Sequence, residues 1–299
     1  MALLSLGEYT ENFFNEKKDS LSKSYPGLSV RRLKTEIELF ALQKQVNVDE
    51  LFSNQYVPSG TNPLTYFFEK LKTGYPLEYI RERAYFYKSE FSVNPSVLIP
   101  RDETEILVEK GSEYLKDWLK KSDESLRVLD IGTGSGAIII SLLQEIDRPL
   151  RAYATDISKD ALKLARRNFF NLRFTIPRDS SLNLICTDRM KDLEQEKFHV
   201  IVSNPPYIKE VEDREFVHGQ VDTYEPHLAL YLKDEEYIKW FEVLFSQVSN
   251  SLYEEGIFIM EGHEDHLVEL KEVCSKYEFE TVEIIKDYTN RDRFLIAKK

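Results

Sequence analysis

From Leu126 to Lys299, short apolar runs alternate with segments of helical period, and that alternation limits the fold more than any other feature. Arg127–Ile131, Ala152–Ile157, Leu182–Cys186, Phe198–Ser203, Gly256–Glu261, Thr281–Ile285 and Arg293–Ala297 read as strands. Helical patterns at Ala137–Glu145, Ala161–Asn168, Tyr237–Leu252 and Leu267–Tyr277 separate most of them. Strands that alternate with helices need crossover connections, so the expected class is α/β with a doubly wound sheet. Such sheets bind ligands outside the carboxyl ends of their strands. The residues that follow each strand are therefore the ones to read for chemistry.

The fourth run is the most informative. Phe198 to Ser203 is apolar or small at every position but His199, as in a strand buried on both faces, and it stops at Asn204-Pro205-Pro206-Tyr207. Proline cannot donate to a strand ladder and drives the residue before it into an extended conformation, so Asn204 is expected at a strand's carboxyl end. An amide or aromatic amine nitrogen is a poor nucleophile because its lone pair is delocalised. The Asn204 side-chain oxygen and the Pro205 carbonyl can accept its two N–H groups, and Tyr207 can lie on the planar group and orient it. That is catalysis by positioning and electrostatics. The bland reading is a Pro-Pro terminator after a core strand.

The other strand ends carry compatible groups. Gly132-Thr133-Gly134-Ser135-Gly136 follows the first strand, a turn that lets a ligand approach the backbone at a helix start or is simply structural. Its spacing differs from the Gly-x-Gly-x-x-Gly of dinucleotide sites, which weighs against a nicotinamide-dependent oxidoreductase. Asp156, ending the second strand, can accept both ribose hydroxyls of a nucleoside or stand as an exposed acid ahead of a Ser158 cap. Asp188, after the third, can accept from an adenine amine or be a solvated loop acid.

Upstream, residues 1–73 read as a small helical domain. Ser29 can cap a segment with Val30, Leu33, Ile37, Phe40 and Ala41 at helical spacing, and Thr61-Asn62-Pro63 opens another. Residues 74–100 form a connector with a hairpin at Tyr85–Tyr87 and Glu90–Val93, and a helix from about Asp102 to Lys121 opens the 101–299 domain. The net charge of −12 argues against a direct grip on nucleic acid. No apolar run approaches a membrane span, and the Met1–Tyr9 start lacks the pattern of a signal peptide. Two cysteines, Cys186 and Cys274, cannot build a disulfide framework or a zinc site, so the expected compartment is the cytoplasm. His263 and His266 sit three apart, but with Glu264 and Asp265 between them a solvated helix start is expected rather than a metal site. His199, His218 and His227 read as structural or surface residues.

A glycine loop, two acids and Asn-Pro-Pro-Tyr at four successive strand ends together resemble the class I S-adenosylmethionine-dependent methyltransferases that alkylate amide or exocyclic amino nitrogens. A narrower resemblance spans nearly the whole chain. Pro76-Leu77-Glu78-Tyr79-Ile80, Val97–Glu105, Tyr224-Glu225-Pro226 and Asp292-Arg293 are similar to the HemK-type peptide chain release factor glutamine methyltransferases. The resemblance implies a seven-stranded, Rossmann-like methyltransferase sheet preceded by a helical substrate-recognition domain and a hairpin. It implies N5-methylation of the glutamine in the Gly-Gly-Gln motif of bacterial class 1 release factors, with S-adenosylmethionine and no metal; a protein-modifying enzyme of this layout can work as a monomer. By position, Gly132–Gly136, Asp156, Asp188, Arg189 and Asn204 would bind the cofactor, and Asn204–Tyr207 the substrate glutamine. Many members carry an aromatic residue where Arg189 stands, although an arginine plane also stacks. An adenine-N6 methyltransferase on DNA or RNA poses the same chemical problem and is the alternative.

Overall fold

The computed structural model describes residues 4–121 and 125–299, so the first three residues of the start read for a leader lie outside the described residues. The chain divides into two compact units. One takes the residues up to Arg83 together with His218–Tyr224. Its helices are α1 (Leu6–Glu16), α2 (Lys18–Ser24), α3 (Val30–Gln43), α4 (Pro63–Lys72) and α5 (Leu77–Arg81). Caps set the helix starts. Ser5 and Glu8 form a capping box on α1, Ser29 accepts the Arg32 N–H at 3.2 Å, and Asn62 accepts that of Leu64 with Pro63 in the first turn. Leu33, Ile37, Phe40 and Ala41 of α3 are buried in one core with Phe67, Phe68 and Leu71 of α4, as their spacing requires. The late segment joins this unit through Tyr224, whose hydroxyl donates to the Thr73 carbonyl at 2.6 Å.

The other unit holds Ala84–Val217 and Glu225–Lys299. It begins in a hairpin, β1 (Arg83–Phe86) and β2 (Ser89–Ser92), in which Tyr87 sits at the turn rather than in a strand. Tyr87 has φ +56°, and its N–H is satisfied by Glu105 Oε1 at 2.7 Å. The expected Asp102 helix is instead a 3₁₀ turn, Asp102–Thr104, running into α6 (Glu105–Leu119). Such tightening is common at helix starts.

Then follow β3 (Arg127–Ile131), α7 (Ala137–Glu145), β4 (Arg151–Asp156), α8 (Lys159–Asn171), β5 (Ser181–Cys186), β6 (Phe198–Ser203) and β7 (Ile208–Lys209). After them, past α9 (Gly219–Tyr224) of the first unit, come α10 (His227–Leu230), β8 (Tyr231–Leu232), α11 (Tyr237–Ser251), β9 (Leu252–Glu261), α12 (Leu267–Cys274), β10 (Thr281–Lys286) and β11 (Asp292–Lys298). The expected α/β class is observed, as one seven-stranded sheet in the order β10-β11-β9-β6-β3-β4-β5. The strands from β9 to β5 are parallel, and β11 runs antiparallel to both its neighbours. Strand alternation sends Val128, Val200, Val202, Ile257 and Ile259 to one face, in a core with α6 and α7. Leu129, Ile201, Phe258 and Met260 go to the other, with α11 and α12.

β9 starts earlier than its apolar run. Leu252 pairs with Phe198 and then Ile257 with Val200, which leaves Tyr253–Gly256 as a bulge with Glu255 at φ +60°. Among the described residues no helix is long and apolar enough to cross a membrane.

Asn168 of α8 ties the hairpin to the turn after β3. Its Oδ1 accepts the Ser92 N–H at 2.8 Å, and its Nδ2 donates to the Ser92 and Ser135 carbonyls, both at 2.9 Å. With Asn168 almost fully buried, Asn168→Ala removes three buried hydrogen bonds to the backbone of Ser92 and Ser135. The expected loss is about 2–4 kcal/mol of stability by urea denaturation; a change under about 0.5 kcal/mol would show that the clamp contributes nothing.

Candidate active site

β4 and β6 flank β3, so the direction in which the chain winds reverses there, and a crevice opens outside the carboxyl ends of these strands. A cavity of about 360 Å³ fills it. Gly132–Ser135 after β3, Asp156 after β4, Asp188 and Arg189 after β5, and Asn204–Pro206 after β6 all line it. Sequence reasoning had put those residues at successive strand ends, and the fold brings them to one wall. Gly136 and Tyr207 stand behind the lining. A Cβ on Gly136 would lie 3.0 Å from Ile140 Cδ1 and 3.2 Å from Ala165 Cβ, so this glycine lets α7 pack against α8.

The turn after β3 is held from below. The Gly132 and Thr133 N–H groups both donate to the Thr155 carbonyl at 2.9 Å, and the Gly134 N–H to Asp156 Oδ2 at 2.9 Å. The other Asp156 oxygen accepts the Ser158 N–H at 2.8 Å, ahead of the expected Ser158 cap on α8. Burial pushes the Asp156 carboxyl up, against the pull of these N–H donors. Each oxygen keeps a lone pair for a second donor. A Cβ added to Gly134 (φ +54°) would meet no protein atom nearer than 4.0 Å, so the space beside it belongs to the cavity. This cradle and the acid beside it fit S-adenosylmethionine, the cofactor that the resemblance implies.

Asn204 is fixed by Thr104, from the Val97–Glu105 stretch that carries the resemblance but to which sequence reasoning assigned no individual role, and through it by Glu261, which the sequence reading missed. Its Nδ2 donates to Thr104 Oγ1 at 3.1 Å, and the Thr104 hydroxyl donates to Glu261 Oε2 at 2.6 Å. Glu261 Oε1 accepts the Tyr207 hydroxyl at 2.9 Å, and the Tyr237 hydroxyl donates to the Tyr207 carbonyl at 3.1 Å. Burial raises the Glu261 carboxyl, opposed by its two hydroxyl donors and the Arg293 charge. Burial and the Glu261 carboxylate also hold the Tyr207 hydroxyl protonated. The signal available in the sequence was an acid closing an otherwise apolar strand run, Ile257–Met260.

Arg189 has φ +52°, donates to Asp188 at 2.9 Å and lies over the Trp240 ring at 4.8 Å from its centroid. Trp240, from α11, lines the cavity too. The aromatic wall absent at position 189 is thus supplied by a residue some fifty positions on, which spacing could not reveal. Glu225 is buried and joined to the Arg101 guanidinium and the Ile99 N–H, tying the segment ahead of α6 to the rim of the site.

The His263 and His266 start of α12 is not the solvated turn expected. His266 is buried, with Nε2 at 2.9 Å from Asp213 Oδ2, and donor atoms of Asp213, His263 and His266 lie within 4.8 Å of one another. Asp213, remote in sequence, also accepts the Lys209 N–H, so its carboxylate is paired by protein donors that link the segment after β7 to α12.

Residues 105–228 match the family model of the methyltransferase small domain. The chain is 36% identical over 227 residues to the release factor glutamine methyltransferase of Flavobacterium psychrophilum, covering 76% of each chain. It is 32% identical over 236 residues to that of Bacteroides thetaiotaomicron, covering 77% of this chain and 78% of the other. With that of Enterococcus faecalis the identity is 34% over 231 residues, again covering 77% and 78%.

Asp130, beneath the glycine turn, gives the site a titration signature. It is fully buried, accepts the Thr133 hydroxyl at 2.7 Å, and is pushed up to about 7 by burial. Between its unfolded value of about 4 and about 7, the folded chain holds the extra proton, so this group's contribution to stability falls as pH rises through that window. Asp130→Asn keeps the shape without the charge. It is expected to gain on the order of a few kcal/mol over the parent at about pH 8, with the gain shrinking toward pH 5. Urea denaturation at both pH values checks this, and a pH-independent difference would refute it.

Proposed function

We infer the reaction and its substrate from one fact: this chain belongs to the release factor glutamine methyltransferases. It transfers a methyl group from S-adenosylmethionine to the side-chain amide nitrogen, N5, of the glutamine in the Gly-Gly-Gln motif of class 1 release factors. The observation that carries the reading is the Asn204 amide, on the cavity wall with its Nδ2 engaged by Thr104. The oxygen is the pole left for a substrate.

S-adenosylmethionine supplies an activated methyl group on a good leaving group. The residues of this chain then have three tasks. The Gly132–Gly136 turn receives the cofactor's methionine and ribose parts, and Asp156 takes the ribose hydroxyls on its remaining lone pairs. Asp188 and Arg189 border the adenine, with the Trp240 face beside them. Asn204 Oδ1 and the Pro205 carbonyl accept the two N–H groups of the substrate amide, which favours a lone pair localised on nitrogen and aimed along one line. Pro206 closes the wall, and Tyr207 orients the amide plane. No metal takes part in this arrangement.

Residues 1–73 recognise the release factor, residues 74–100 connect, and residues 101–299 carry the transfer. The enzyme works in the cytoplasm as a monomer and makes no direct contact with nucleic acid, in keeping with a net charge of −12.

The test is transfer of labelled methyl from S-adenosylmethionine to a recombinant release factor, with a Gly-Gly-Ala variant and duplex DNA in parallel. Label on the intact factor alone is expected; label on DNA would favour the adenine-N6 alternative. In the same assay Asn204→Ala is expected to lower kcat about 100-fold or more with little change in cofactor affinity, and unchanged turnover would remove Asn204 from its role. A chain beginning at residue 74 should lose activity on the whole factor but keep it on a Gly-Gly-Gln peptide. Gly134→Val fills the cavity beside the turn and is expected to abolish S-adenosylmethionine binding by calorimetry; retained binding would take the turn out of the site.

A further inference from the structure

We propose that Glu261 is a positioning residue that dictates, through Thr104, which pole of the Asn204 amide faces the substrate; the proposal rests on the glutamine-methylating reading above. Glu261 closes β9 beside the end of β6, where Met260 pairs with Ser203. It is 2% exposed, and it is the charged end of an apolar run whose other side chains fill the sheet's two cores. A carboxylate in such a place is costly unless hydrogen-bonded. Both its oxygens are engaged by hydroxyls that belong to the site, Thr104 at 2.6 Å and Tyr207 at 2.9 Å.

The polarity of this chain follows from counting protons. An ionised carboxylate only accepts, so the single Thr104 proton goes to Glu261. The Thr104 oxygen is then left as an acceptor toward Asn204, which must answer with Nδ2–H. Turned the other way, the Asn204 amide would meet the substrate's NH₂ with its own NH₂, donor against donor. The same carboxylate fixes the Tyr207 hydroxyl, so one buried charge sets two groups of the Asn-Pro-Pro-Tyr segment.

The proposal is tested with two near-isosteric variants that alter the chain of protons rather than its shape. Glu261→Gln must donate an N–H to one of the two hydroxyls that the carboxylate receives. Thr104→Val removes the link, and Thr104→Ser restores it. Glu261→Gln and Thr104→Val are each expected to lower kcat for methyl transfer to the release factor about tenfold or more, with the calorimetric Kd for S-adenosylmethionine within about twofold of the parent and Thr104→Ser within about threefold in kcat. Thr104→Val is expected to cost nothing further once Asn204 is alanine, a non-additivity that a purely structural role would not produce. Parent-like kcat in both variants, or full additivity of Thr104→Val with Asn204→Ala, would overturn the relay. Absence of label from the parent chain itself would overturn the reaction reading, and the relay with it.

Discussion

Every residue of β6 is buried, and the strand can bury its backbone only because β3 pairs with one edge and β9 with the other. The Asn-Pro-Pro segment ends that arrangement. The prolines bring no N–H to a ladder, so the backbone leaves the sheet at Asn204, just past the register in which Ser203 sits between Ile131 and Met260. The Ser203 hydroxyl donates to the Ile131 carbonyl at 2.8 Å, tying the β6 end to the β3 end from which the glycine turn departs. The distance between the glycine turn and Asn204 is therefore set by sheet hydrogen bonds and not by loops. For a reaction that depends on aligning two bound groups, a site fixed to the sheet is the economical arrangement.

The same constraint explains why the supporting residues come from strand neighbours. Glu261 ends β9, the strand beside β6, and so arrives next to Asn204 and Tyr207 by register alone. Thr104 comes from the 3₁₀ turn ahead of α6 and bridges Asn204 to Glu261. If that turn were regular helix from Asp102, its residues would follow a different rise and rotation. The departure from the helix expected there thus falls on the very turn that holds Thr104.

What the sequence revealed and what it hid divide along a physical line. Strands that lie in the sheet's middle declare themselves by continuous apolar runs, so β3 and β6 were legible to the residue, and the groups that end them follow directly. Caps at Ser29, Asn62 and Ser158 were legible because a cap is a local bond. The β9 bulge was not, since Tyr253–Gly256 is polar and its strand status depends on Leu252 finding Phe198 across the sheet. Thr104 with Glu261, Trp240 beside Arg189, and Asp213 against His266 were hidden for the same reason. Each is a pair whose members lie some fifty or more positions apart and carry no mark of the other.

The chemical character of the cavity also narrows what can occupy it. Asp130 and Asp156 lie under or beside the glycine turn, and Glu261 stands behind Asn204. The lining includes the Asp156 carboxylate and the Asn204 amide, with the Arg189 guanidinium apart from them over the Trp240 ring. Cations and N–H donors are favoured beside the Asp156 carboxylate. A sulfonium cofactor and a primary amide, one cationic and the other presenting two N–H donors, both match it. An adenine amine would match the acceptors equally well, but the polynucleotide that carries it would have to approach a chain of net charge −12.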